Sequence, residues 1–142
     1  MLTEDAVVER TCGALRDLGF EIETQATASQ HGPDIVAIRD SLRVVIEAKG
    51  AGSSKPGTAR YGQEFNSGQV FDHVAKAVLK ALREVSAGHH VGGIALPDNA
   101  AHRREVGLVR DALIRVGVVT VWVGSLGVEF DPPNWAGVQP PV

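Results

Sequence analysis

Two short apolar runs separated by polar residues form the clearest pattern in the chain. Residues 35–38 and 44–46 are all Val, Ile or Ala, and Arg39-Asp40-Ser41-Leu42-Arg43 stands between them. β-Branched residues favour strands, and the pair Asp-Ser suits a tight turn. The pattern therefore predicts a β-hairpin with Asp40 and Ser41 as its two loop residues.

The predicted hairpin brings ionisable residues together at its open end. With Asp40 and Ser41 in the loop, Asp34 lies directly opposite Glu47, and their Cβ atoms are expected ~5 Å apart. Glu47 and Lys49 project from one face because side chains alternate along a strand. A slip of one residue would remove this opposition, so the arrangement depends on the register.

Hydrophobic periodicity and turn residues predict further elements on both sides of the hairpin. We expect helices over residues 3–18, 67–87 and 100–116, and strands over residues 20–26, 91–96, 118–123 and 127–130. The order strand, helix, strand between residues 91 and 123 implies a right-handed crossover and parallel pairing. The expected fold class is α/β, with a central mixed sheet that is antiparallel around the hairpin and parallel at its far side.

The helix predicted over residues 67–87 has two contrasting faces. Its apolar residues are expected to face the core: Phe71, Val74, Ala75, Val78, Leu82 and Val85. Polar and basic residues recur at helical spacing on the opposite side: Gln69, His73, Lys76 and Lys80. That stripe is either a solvated surface or a strip that follows a nucleic-acid backbone, with Gln69 in the first turn as the best candidate contact.

The acids of the hairpin suggest a metal-dependent chemistry. Two carboxylates this close repel each other in an apolar setting. A hard divalent ion such as Mg²⁺ would relieve the repulsion between Asp34 and Glu47, and the carbonyl of Ala48 is a further candidate ligand. Lys49 would orient a water or stabilise charge on phosphate oxygens. The structural alternative is that Asp34 caps a turn while Glu47 and Lys49 form an ordinary ion pair.

The motif Gly32-Pro33-Asp34 followed by Glu47-Ala48-Lys49 resembles the PD-(D/E)xK nuclease superfamily. A helix bearing Glu9, then Gly19-Phe20, a strand and the two motif strands follow in the order found in Mrr-like restriction endonucleases and Holliday-junction resolvases. The resemblance implies a restriction-endonuclease-like, three-layer α/β/α fold with a central mixed sheet. It also implies that the chain is a Mg²⁺-dependent endonuclease acting on DNA, with Mn²⁺ as a substitute ion.

The same resemblance assigns roles to individual residues. Asp34 and Glu47 are implied to bind the metal, Lys49 to position the attacking water, and Glu9 to add a third acid. Residues 50–68 form a long irregular stretch that leaves directly from Lys49. It is either a flexible loop or a flap that contacts nucleic acid, and its candidate contacts are Lys55, Arg60 and Tyr61.

Composition sets the remaining expectations. The 142 residues fit one nuclease-like domain, residues 1–130, followed by a Pro-rich tail, residues 131–142. The net charge of −3 means that any DNA-binding surface must be local. One basic group is expected to be exposed on the helix predicted over residues 100–116: His102, Arg103, Arg104 and Arg110.

Location, assembly and function complete the expectations. No apolar run is long enough to span a membrane, and the single Cys12 with an acidic N-terminus favours the cytoplasm. A homodimer is expected because cutting both strands of DNA needs two sites. The alternatives to a nuclease are a non-catalytic nucleic-acid-binding or assembly module and a small-molecule α/β enzyme.

Overall fold

A computed structural model describes residues 1–26, 32–52, 62–88 and 91–137, and within these ranges it contains four helices and one six-stranded mixed sheet. In chain order the elements are α1 (Glu4–Asp17), β1 (Glu21–Gln25), β2 (Ile35–Arg39), β3 (Leu42–Ala48), α2 (Ser67–Ser86), β4 (Val91–Pro97), α3 (Ala100–Gly107), α4 (Arg110–Val116), β5 (Val118–Val123) and β6 (Val128–Asp131). The α/β class with a mixed sheet is therefore confirmed.

The strands of the sheet stand side by side in chain order. β1, β2 and β3 pair antiparallel, β4 and β5 add in parallel, and β6 closes the far edge antiparallel to β5. The predicted hairpin register is confirmed, because Ile35 pairs with Ile46 and Arg39 with Leu42. Asp40 turns the chain with a φ of 54°, a left-handed conformation that Asp adopts more readily than most residues.

Apolar side chains form two buried clusters on the two faces of the sheet. Alternation along β4 sends Ala95 into one cluster and Ile94 and Leu96 into the other. The first cluster takes Val7, Val8, Cys12 and Leu15 from α1. The second takes Val70, Val74, Ala77 and Ala81 from α2, Val106 from α3 and Leu113 from α4. α1 therefore lies on one face and the other helices on the opposite face.

Polar side chains fix the first turns of the two long helices. Thr3 Oγ1 accepts a hydrogen bond from the backbone N–H of Ala6 at 3.1 Å and caps α1. At α2, Asn66 Oδ1 accepts from the N–H of Gln69 at 3.0 Å, and Gln69 Oε1 accepts from the N–H of Asn66 at 2.9 Å. This reciprocal capping box satisfies backbone donors that an uncapped helix would leave without partners.

Only part of the predicted buried face of α2 is confirmed, because Val74 is buried and Val78 and Val85 are half-buried against the core, whereas Ala75 and Leu82 are exposed. The helix presents small residues to the sheet, and Phe71, expected in the core, is 57% exposed. The cause is a close approach to β4, where a Cβ on Gly92 would lie 2.8 Å from the carbonyl oxygen of Ala81. Small residues allow this approach, and from the predicted polar stripe His73 becomes partly buried while Lys80 reaches Glu47.

The helix predicted over residues 100–116 is two helices. α3 ends at Gly107 and α4 begins at Arg110, with Leu108 79% exposed in the turn between them. Gly has a low helix propensity, which favours a break at this point. The periodicity of apolar residues alone does not reveal this break.

Acids pair with two of the three arginines expected to form an exposed basic group. Arg103 Nε lies 2.8 Å from Asp98 Oδ1 and its Nη2 lies 3.0 Å from Glu129 Oε1. Arg110 Nε lies 2.7 Å from Asp131 Oδ2. The positive charge of this surface is therefore largely compensated by neighbouring carboxylates.

The first part of the predicted tail contacts the body of the protein. The Trp135 ring stacks on Phe20, with ring centroids 5.4 Å apart, and on Phe130 at 5.3 Å. Arg39 Nη2 donates to the carbonyl of Ala136 at 3.2 Å. Residues 138–142 lie outside the described residues. Within the described residues, none of the helices combines the length and apolarity that crossing a bilayer requires.

Burial of one histidine gives the fold a dependence on pH. His102, expected to be exposed, is fully buried on α3, and Asn99 Oδ1 lies 2.8 Å from its Nδ1. Burial lowers the pKa of His102 to about 4. As the pH falls below ~6.5, the unfolded chain binds a proton that the folded chain excludes, so the free energy of unfolding decreases until about pH 4.

We expect His102→Gln to remove this dependence. Between pH 6.5 and 4, the free energy of unfolding of the wild type should fall relative to the variant by up to ~1.4 kcal/mol per pH unit. Urea denaturation followed by tryptophan fluorescence at several pH values measures this difference. Parallel pH profiles of the two proteins would contradict the burial of a neutral His102.

Candidate active site

The hairpin places two carboxylates at the junction of β2 and β3. Asp34 immediately precedes β2, and Glu47 lies one residue beyond the Ile35–Ile46 pair, so the observed register makes them neighbours across the strands. Asp34 is 8% exposed and Glu47 6% exposed. The backbone N–H of Ala48 donates to Asp34 Oδ2 at 2.8 Å, which fixes that carboxylate against the end of β3.

The two carboxylates are held in conditions that disfavour their charges. Burial raises the pKa of Asp34, although the Ala48 N–H and the ammonium groups of Lys49 and Lys80 act to lower it. Burial also raises the pKa of Glu47, and the neighbouring charge of Asp34 raises it further. Both shifts arise because water is replaced by protein and like charges stand close together.

Two lysines face the acids from different elements. Lys49 continues the ladder beyond β3, with its N–H donating to the carbonyl of Ala95 at 3.0 Å, and its ammonium lowers the pKa of both Asp34 and Glu47. Lys80 reaches in from α2, with Nζ 3.3 Å from Glu47 Oε1. The sequence pattern favours an exposed Lys80. The sequence feature that could have pointed to its contact with Glu47 is its place in the polar stripe that also contains Gln69.

The partly buried acid that α1 brings to the site is Glu4, and the exposed Asp5 next to it also acts on Asp34. Burial raises the pKa of Glu4 to about 6, and the Asp34 charge is the next largest cause. Gly50 permits this approach, because a Cβ at that position would lie 2.5 Å from the backbone nitrogen of Glu4. A glycine directly after the motif and an acid in the first helical turn are the sequence signals that could have identified Glu4.

Glu9, the predicted third acid, lies elsewhere on α1. Its side chain is exposed, whereas that of Glu4 is partly buried, and among the described residues Glu9 is not one of the charges that raise the pKa of Glu4, Asp34 or Glu47. Five residues along a helix correspond to a displacement of ~7.5 Å and a rotation of ~140°. The structure therefore groups Glu4, rather than Glu9, with the hairpin acids.

The donor set suits an oxygen-binding cation that keeps several waters. Among the described residues, no group of three or more His, Cys, Asp or Glu side chains forms a ready-made metal cage. Mg²⁺ is commonly held by one or two carboxylates plus waters, which Asp34 and Glu47 can supply. Asp34, Glu47 and Glu4, with Asp5 nearby, outnumber the ammonium groups of Lys49 and Lys80, and this negative excess favours a cation. Ala48 is fully buried, and its carbonyl remains a predicted ligand.

The predicted nucleic-acid contacts are only partly described. Lys55, Arg60 and Tyr61 lie outside the described residues. Gln69 is partly buried at the start of α2, where its side chain completes the capping box with Asn66. Gln69 therefore has a structural role in capping α2. A contact with nucleic acid would have to use the part of its side chain that the capping bond leaves available.

Comparison with protein-family models, with curated proteins and with solved structures finds no match to this chain. A functional assignment therefore rests on the geometry of the site and on the resemblance of the motif.

Substitutions of Asp34 separate its charge from its hydrogen bond. Asp34→Asn removes a charge that burial and Glu47 disfavour, while its amide oxygen can still accept from the Ala48 N–H. We expect this variant, without metal at pH 7, to unfold at higher urea concentration than the wild type. Asp34→Ala leaves the buried N–H without an acceptor and should be less stable than Asp34→Asn by about 1–3 kcal/mol.

Chemical denaturation of the three proteins in the presence of a chelator tests this order. Equal stability of Asp34→Asn and Asp34→Ala would show that the Ala48 bond contributes nothing. An Asp34→Asn variant less stable than the wild type would contradict the unfavourable burial of the charge.

Proposed function

We propose that the protein is a Mg²⁺-dependent endonuclease of PD-(D/E)xK type that hydrolyses phosphodiester bonds in DNA. The observation that carries the proposal is the pair of buried carboxylates, Asp34 and Glu47, placed side by side at the end of a hairpin with Lys49 beside them. A purely structural role would not require two acids to be buried together in a position that raises the pKa of both.

The arrangement of the elements supports the same proposal. We infer that the fold is the three-layer α/β/α arrangement of restriction-endonuclease-like proteins. In support, α1 contributes to the cluster on one face of the sheet and α2, α3 and α4 to the cluster on the other. The motif strands β2 and β3 also precede a parallel strand, β4, in the mixed sheet.

The residues of the site have distinct roles in this proposal. Asp34 and Glu47 hold the cation, Glu4 adds negative charge from α1, and Lys49 orients the attacking water or binds the scissile phosphate. Bound Mg²⁺ would lower the pKa of a coordinated water and stabilise the charge that develops on phosphate oxygens. Burial of the carboxylates makes these electrostatic interactions stronger than they would be in water.

The partners follow from the same reaction. DNA is the proposed substrate, and a homodimer is proposed because cleavage of both strands needs two sites. The net charge of −3 restricts DNA contact to a local surface around the site. A cytoplasmic location stays a prediction from the sequence.

A non-catalytic nucleic-acid-binding or assembly module is the second candidate. The specific observation in its favour is the ion pair of Lys80 with Glu47, which compensates a buried carboxylate without any metal ion. In that case the acids would serve to orient α2 on the sheet, and their substitution would change stability but no reaction.

Plasmid nicking in the presence of Mg²⁺ tests the proposed activity. We expect Asp34→Asn, Glu47→Gln and Lys49→Met each to reduce the rate of nicking by ~100-fold or more, the usual effect of removing one preorganised electrostatic group. Circular dichroism checks that each variant is folded. Nicking by these variants at the wild-type rate would overturn the assignment, and wild-type DNA binding without cleavage would favour the second candidate.

Two glutamates of α1 provide a matched pair for the third acid. Glu4→Gln should reduce the rate of nicking, because Glu4 is partly buried and electrostatically coupled to Asp34. Glu9→Gln should leave the rate within about twofold of the wild type, since surface substitutions away from such a site have small effects. The reverse result would restore Glu9 as the third acid and exclude Glu4.

A further inference from the structure

Lys80 forms an ion pair that joins a half-exposed side chain to a buried one. Its Nζ lies 3.3 Å from Glu47 Oε1, and the side chains of Lys80 and Glu47 are 50% and 8% exposed. The ammonium thus reaches the buried carboxylate while the lysine keeps access to solvent. Lysine has a long flexible stem, so the ammonium can leave Glu47 without any movement of α2.

The position of Lys80 is determined by the packing of its neighbours. Ala77 and Ala81, one turn apart on α2, are fully buried against the sheet. Gly92 allows the backbone of the helix to approach β4 at Ala81. Lys80 precedes Ala81 and is therefore held at the border between the buried face of the helix and solvent, beside the site.

A divalent cation at Asp34 and Glu47 would compete with Lys80. The ammonium and the metal ion both need the carboxylate oxygens of Glu47, and their positive charges repel each other. Lys49 extends from the end of β3 and lies on the same side, where it already acts on Glu4, Asp34 and Glu47. Departure of Lys80 from Glu47 would leave its ammonium at the rim of the site.

We propose that Lys80 is an internal counter-cation of the site: it pairs with Glu47 while no divalent cation is bound and binds a substrate phosphate once the cation has displaced it. This proposal rests on the proposed function, because it requires Asp34 and Glu47 to bind a divalent cation. It assigns to α2 a phosphate-binding role in the same reaction. The chemical class that Lys80 recognises is a phosphodiester oxygen next to the metal site.

Titration of Mn²⁺ without DNA, followed by electron paramagnetic resonance, tests the first half of the proposal. We expect Lys80→Met to bind Mn²⁺ about tenfold more tightly than the wild type, since the ion no longer displaces a charged hydrogen-bonding group. Lys80→Arg keeps the charge and should bind Mn²⁺ as the wild type does. Lys76→Met, a change at an exposed lysine on the same helix, is the matched control and should have no effect.

DNA binding in Ca²⁺, an ion chosen to bind without supporting cleavage, tests the second half. Lys80→Met should weaken binding and lower the salt dependence by the equivalent of about one phosphate contact. An unchanged salt dependence in Lys80→Met would overturn the phosphate-binding role.

The outcomes distinguish this proposal from the proposed function. Loss of Mn²⁺ binding in Glu47→Gln with unchanged affinity in Lys80→Met would overturn the counter-cation role and leave the metal site intact. Absence of Mn²⁺ binding in the wild type and in all variants would overturn both. Tighter binding in Lys80→Met, with Lys80→Arg and Lys76→Met unchanged, would support the counter-cation role.

Discussion

The pairing of Ile35 with Ile46 is the constraint on which the site depends. Because side chains alternate along strands, this one register puts Asp34 and Glu47 on a common face, whereas a shift of one residue would separate them. Most apolar residues of both strands are buried, so a shifted hairpin would also disturb the core. The hydrophobic core therefore enforces the position of two acids that, by themselves, repel each other.

Several elements supply the groups that compensate this repulsion. The end of β3 contributes the N–H of Ala48, the residue after it contributes the ammonium of Lys49, and α2 contributes Lys80. On the other side, α1 adds a further acid, Glu4, through its contact with Gly50. The site thus lies where helices from both faces of the sheet reach the same strand end, and its charge balance depends on the whole fold.

The hairpin and the parallel strands were predictable because their signals are local. Asp40 and Ser41 define the turn, and the alternation of apolar residues then fixes the register of Asp34 and Glu47. The orientation of a helix about its own axis is not local information. α2 presents alanines to β4 because Gly92, distant in sequence, allows close contact, and the hydrophobic pattern of α2 itself favours Phe71.

The same limit explains the residues that sequence reasoning missed at the site. Glu4 and Glu9 are both acids on one amphipathic helix, and the contact between α1 and Gly50 is what brings Glu4 rather than Glu9 to the hairpin acids. Lys80 looks like a surface lysine until the rotation of α2 is known. Motif residues on paired strands are fixed by hydrogen-bonded geometry, whereas helical contributors depend on tertiary packing, which one sequence encodes only indirectly.

The imbalance of charge at the site links stability to the proposed chemistry. Three acids with raised pKa values and two lysines give the site an excess of negative charge. A cation that binds only the folded chain would stabilise it by mass action. The acids whose burial destabilises the fold are also the groups that would give the ion its affinity. Lys80 compensates part of that charge, and in the proposed nuclease it would also compete with the ion for Glu47, so a stronger ion pair would mean weaker binding of the ion. Because Lys80 is half-exposed, solvent weakens its pair with Glu47, and in the proposed nuclease this would favour replacement of the ammonium by a divalent ion.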